Sequence, residues 1–123
     1  ESKKILVKVE VADTPQLRAL GLSGRSLLGD YQGMLFVMDE NEIHSFWMND
    51  MLIPLDIIYI DIEGYIVDIF ENELPCTSSF ECESISSSFA SKYVLEVNGG
   101  FVKENMIVVG NQVIFNISSE DIN

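Results

Sequence analysis

Few residues in this chain carry reactive chemistry: one histidine, two cysteines, one tryptophan, five methionines and a scatter of carboxylates. If the segment around Asp56 is a strand of period two, Asp56 shares a face with Ile58 and Ile60, and Glu96 likewise shares one with Val94. Each carboxylate then leans inward, and a buried carboxylate needs a partner. Arg25 is the natural one, because its planar guanidinium satisfies two oxygens at once and keeps its charge. The pairing reads first as a structural clamp between the loop after the first helix and a central strand. Its sharper reading is the carboxylate floor of a binding pocket.

His44, with Trp47, Met48 and Met51 close by, suggests soft-metal chemistry, since thioethers and an imidazole suit Cu(I). On one strand, however, His44 and Met48 share a face roughly 13 Å apart, and Trp47 points the other way. The structural reading has Trp47 packing under the sheet while Met34, Met38 and Met48 fill irregular gaps. Cys76 and Cys82 enclose five residues. They form a local disulfide in an oxidising compartment, the reading favoured here, or two free thiols in a reducing one. Their spacing is not Cys-x-x-Cys, and a zinc site lacks a second cysteine pair. No Ser lies in a Gly-x-Ser-x-Gly turn, no Gly-rich phosphate loop occurs, and His44 is the lone imidazole base. Asp56 and Glu96 remain as acid or base for a hydrolase, with their separation not set by the sequence.

The elements that must position these groups are mostly strands. Lys4 to Ala12 alternates, with Ile5, Val7, Val9 and Val11 on one side. Thr14-Pro15 then caps and starts a short helix whose apolar side is Leu17, Leu20 and Leu22. Strand-like runs follow at Met34 to Met38, His44 to Met48, Leu55 to Asp61 and Tyr65 to Phe70, the last two joined by an Asp61 to Gly64 turn. The run Ile57 to Ile60 is apolar on both faces, as in a strand covered on each side, and it should be the heart of the sheet. Asn72 to Ser88 reads as a long polar loop with a solvent-facing serine run at Ser84 to Ser88. Tyr93 to Val97 and Gln112 to Ile117 are two further strands around a short helical piece at Phe101 to Asn105. The fold class is mainly β with short helices (α+β), one domain over 1–123, arranged as a barrel-like or strongly bent antiparallel sheet with helices over its openings.

Composition sets the outer limits. The chain of 123 residues is 47% hydrophobic and carries a formal charge of -13, which excludes a disordered chain and repels phosphate backbones and anionic lipid heads. No apolar run is long enough for a membrane span. The chain begins at Glu1 without an initiator Met, consistent with a removed leader or with a chosen boundary.

Taken in order, Gly21-Leu22-Ser23-Gly24-Arg25, Gly33-Met34-Leu35-Phe36, Phe46-Trp47-Met48, Ile53-Pro54-Leu55-Asp56, Pro75-Cys76 and Tyr93-Val94-Leu95-Glu96 resemble the family catalogued as domain of unknown function 192, nearly end to end. The resemblance implies a small β-rich domain, frequently exported in bacteria, whose motif residues surround one concave region. Three positions depart from the family pattern: Ser23 stands for a usual Met, Asn49-Asp50-Met51 for Lys-Asn-Thr, and Asn111 for Asp.

The resulting functional expectation is a non-catalytic binding or accessory domain, extracytoplasmic (periplasmic, secreted or anchored through a leader). Its pocket lies near Arg25, His44, Trp47, Asp56 and Glu96, takes a small molecule, glycan or protein partner, and needs no cofactor. The alternatives are a hydrolase using Asp56 or Glu96, and a Cu(I)-binding protein.

Overall fold

A computed structural model of the chain describes residues 4–78 and 81–116. Its elements are β1 (Lys8–Ala12), α1 (Pro15–Leu20), β2 (Gln32–Glu42), β3 (Ser45–Phe46), β4 (Leu55–Ile60), β5 (Ile66–Glu73), β6 (Ile85–Ser86), β7 (Ser91–Asn98) and α2 (Phe101–Glu104). Five strands form one sheet in the order β1-β2-β7-β4-β5, and β3 pairs with β6 in a second, two-stranded sheet.

The mainly β character with short helices holds, but the large sheet stays open instead of closing into a barrel, and it is mixed. β1 and β2 run parallel, with Val9 opposite Gly33. The reason is the connection: a segment carrying α1 crosses between them, and a helical crossover returns the chain in the same direction where a tight turn would reverse it. Thr14 caps α1 through its side-chain oxygen, which accepts from Leu17 N at 3.1 Å, with Pro15 in the first turn. The helix buries none of its own residues. Leu17 and Leu20 are largely exposed, and Leu22, beyond the helix, is the leucine that enters the core.

β4 is the strand with both faces covered, every one of its six residues buried. Leu55, Ile57 and Tyr59 belong to one apolar cluster, with Met34, Phe36, Met38 and Val94; Ile58 and Ile60 belong to the other, with Val97, Phe101 and Val102. The middle position of the sheet is taken by β7, which pairs antiparallel with both β2 and β4. The two-stranded sheet lies over the first face: Phe46 meets Phe36 edge-on at 5.1 Å and Tyr59 at 6.2 Å, and the Tyr59 hydroxyl donates to Ile85 O at 2.8 Å. α2 lies over the second face. The β4-β5 turn is held by Asp61, whose Oδ1 accepts from Glu63 N and Tyr65 N, while Gly64 supplies the left-handed residue with φ of 95°.

Several segments are shorter than their pattern suggests. The His44 to Met48 run keeps only Ser45–Phe46 as strand, and the expected closing strand reduces to a bridge between Tyr65 and Gln112, with Ile117 outside the described residues. The polar stretch from Asn72 contains the end of β5 and the whole of β6, and within it Ser87 is buried, its hydroxyl accepting from Phe89 N at 3.0 Å. Cys76 and Cys82 are joined as a disulfide with their Cα atoms 5.6 Å apart. Met34, Met38 and Met48 are core fillers as expected, but Trp47 is not under the sheet: it is 47% exposed.

Candidate functional site

Glu96 lies in the middle of β7, opposite Met34 on β2 and Ile57 on β4. Cross-strand partners share a face, so its side chain rises on the side of Phe36, Tyr59 and Val94, among apolar groups. It is 3% exposed, and its Oε1 has no hydrogen-bond partner among the described residues. Burial pushes its carboxyl up from the ordinary 4.5 to about 7, because a charge there is cut off from water.

Glu96 lines a cavity of about 350 Å³ whose apolar walls include Phe36, Met38, Phe46, Trp47 and Met51. Arg18 and His44 are its other ionisable lining residues. Arg18 is committed elsewhere: its guanidinium donates to Val37 O at 2.9 Å and to Asp39 Oδ2 at 3.3 Å, where the register of β2 against β7 shifts. His44 Nε2 lies 2.9 Å from Glu40 O. A carbonyl only accepts, so Nε2 carries a hydrogen and donates it there. An open depression of about 450 Å³ beside Asp50, Leu52 and Thr77 shares Ser23 and Met51 with this cavity but contains no carboxyl of the Glu96 kind.

The other two candidate residues stand apart from the cavity lining. Arg25 does not reach Asp56; its fork closes on Glu10 of β1, with Nη2 donating to Oε1 at 2.9 Å and Nη1 to Oε2. That contact at the protein surface holds the Glu10 carboxyl below its ordinary value. Asp56 is fully buried and is satisfied by backbone instead, accepting from Asn72 N at 2.7 Å, Val102 N at 2.8 Å and Gly100 N at 3.1 Å. The register of β5 slips beside it, freeing the Asn72 N–H, and α2 begins without a side-chain cap of its own. One carboxylate thus ties a bulge to a helix start. Asp56 pairs with Val97 while Glu96 pairs with Ile57, so the two carboxylates occupy opposite faces of the sheet and do not form an acid/base pair.

His44, Trp47 and Glu96 therefore share one cavity, with Arg25 and Asp56 outside it. Sequence reasoning grouped Met51 with His44 and Trp47 but passed over Arg18 and Phe46 as members. A signal for Phe36 and Met38 existed: they alternate on the same strand as Met34, which is the partner of Glu96. Arg18 left no such signal, because its partners lie far along the chain. Among the described residues, no group of three His, Cys, Asp or Glu side chains is placed to hold a metal ion.

An open mixed sheet, a small second sheet over one face and a buried carboxyl beneath that cover define a mainly β protein with a carboxyl-bearing cavity of mixed polar and apolar lining. The chain belongs to the family of domain of unknown function 192, described as an uncharacterized ACR, whose model matches residues 1–115. Two crystal structures are similar. A protein of unknown function from Novosphingobium aromaticivorans DSM 12444 is 31% identical, covering 89% of this chain and 75% of that one, with a TM-score of 0.82. A Sinorhizobium meliloti 1021 protein described as a "putative transcription regulator" is 36% identical over 85% of this chain and 78% of that one, with a TM-score of 0.78. No curated protein matches the chain.

Proposed function

We propose that this protein is a non-catalytic binding domain that holds a small organic molecule in the Glu96 cavity. The observation that carries the reading is a carboxyl that is 3% exposed and whose Oε1 has no hydrogen-bond partner among the described residues, set in a hollow large enough for a small ligand. A fold keeps such a group at a cost of stability, since an apolar residue of similar size would fill the place at no desolvation penalty. A volume of about 350 Å³ suits a compact molecule better than a protein segment or a long glycan. The charge of -13 argues against nucleic acid as the ligand, whatever the Sinorhizobium relative does. The disulfide fits an extracytoplasmic setting.

A screen of small fragments by amide chemical-shift perturbation tests this reading. Hits that move Phe36, Phe46, Trp47 and Glu96 together support it. Hits that cluster elsewhere, with this set unmoved, contradict it. A second reading, soft-metal binding, is favoured by one observation: the thioethers of Met38 and Met51 and the His44 ring line the same hollow. Titration of the reduced protein with Cu(I) decides it, since stoichiometric uptake lost in Met38→Leu supports the reading and failure to compete with a weak chelator ends it.

A further inference from the structure

We propose that the ligand class of this cavity is a small organic cation bearing an N–H, a primary or secondary ammonium on an apolar skeleton, with Glu96 as its counter-ion. The inference rests on the reading of the cavity as a ligand site and specifies what fills it. The argument begins with unmet charge. The ionisable groups around Glu96 are Arg18 on α1, His44 between β2 and β3, and Tyr59 on β4. Arg18 spends its guanidinium on Val37 and Asp39, His44 donates through Nε2 to Glu40 O, and the Tyr59 hydroxyl donates to Ile85 O. Among the described residues, none of the three makes a hydrogen bond or ion pair with the Glu96 carboxyl.

The walls suit a cation as well as the floor does. Phe36, Phe46 and Trp47 present aromatic rings, whose negative faces attract ammonium groups, and Met38 adds a polarisable thioether. An anionic ligand would bring a second negative charge beside Glu96, inside a molecule of net charge -13. A neutral ligand would leave Glu96 to hold its own proton. On binding R-NH3+, the protonated fraction of Glu96 releases one proton to solvent and the resulting carboxylate accepts the N–H, so charge and protons balance.

Trp47 is the chain's single tryptophan and lines the cavity, so its fluorescence is a direct reporter. The probes are 2-phenylethylammonium, its neutral isostere 2-phenylethanol, and 3-phenylpropanoate, titrated at pH 6 and pH 8 in moderate salt. The expected result is a dissociation constant for the ammonium at least about tenfold below that of the alcohol at pH 8, no saturation with the propanoate, and ammonium binding about tenfold tighter at pH 8 than at pH 6. In Glu96→Gln the ammonium and the alcohol should bind alike. Calorimetry of the wild-type protein in buffers of different ionisation enthalpy needs no variant and should show about half a proton released per ammonium bound at pH 7. Equal binding of ammonium and alcohol to the wild-type protein, without proton release, overturns the cation assignment and leaves the cavity as a ligand site. No response of Trp47 to any probe overturns both.

Discussion

Asp56 and Glu96 stand on adjacent strands, one residue out of step, and meet opposite fates: Asp56 accepts three backbone N–H groups while Glu96 Oε1 has no partner among the described residues. The difference fixes what each does to stability. Truncating Asp56→Ala leaves three N–H groups without their acceptor and should cost about 3 kcal/mol or more in urea unfolding; a loss below about 1 kcal/mol would show that these bonds are not the tie described. For Glu96 the sign depends on pH. Its carboxyl is raised to about 7 in the folded chain from 4.5, so between those values the folded state holds a proton that the unfolded chain has released. Stability is therefore highest, as far as this group is concerned, below about pH 4.5, falls as pH rises through 7, and levels off above, a loss of about 3 kcal/mol in all. Unfolding curves of wild type and Glu96→Gln should diverge across this window by that amount, the variant being the more stable at pH 8. Parallel curves would contradict the assignment. Period two told that both acids lean inward, but not that they lean to opposite sides, because strand phase across a pair depends on register and not on either strand's own sequence.

Among the elements, β4 was legible because an apolar run on both faces has one structural meaning, and α1 because Thr14-Pro15 is a local signal. β3 and β6 were not, since two-residue strands carry no period. The same limit explains Arg25: its acceptor Glu10 is brought close by the parallel pairing of β1 with β2, which no local pattern announces. Gly33 marks another place where tertiary packing set the residue. A Cβ there would stand 2.5 Å from Glu96 O and 2.9 Å from a Val97 methyl, since Gly33 lies directly across from Val97 on β7. Gly33→Ala should cost roughly 1–3 kcal/mol by forcing β2 away from β7, and it should broaden the amide signals of Glu96 and Val97. An alanine variant of wild-type stability would mean that the β2-β7 spacing is looser than described.

At the scale of the molecule, the charge of -13 is spread over a protein whose two sheet edges, β1 and β5, carry Lys8, Glu10, Asp68, Glu71 and Glu73, the kind of charged edge that resists pairing with another chain. The Arg25-Glu10 pair belongs to this exposed shell, so Arg25→Ala should change stability by less than about 1 kcal/mol, less still in high salt, and should leave binding to the cavity intact. A larger loss, or a loss of binding, would give Arg25 a role that its surface position does not provide. Strand-like runs were enough to read a mainly β protein and composition to give it its own core; the openness of the sheet and the cover that β3 and β6 form over one face depended on long-range pairing. Everything proposed for this protein turns on one carboxyl beneath that cover. A pH titration of the side-chain carboxyl carbon of Glu96 by NMR, with Glu96→Gln for assignment, reads it directly. A midpoint near 7 is the result predicted from its burial without a partner, and a midpoint in the ordinary range near 4.5 would place that side chain in water or against an unseen cation and remove the basis of the site.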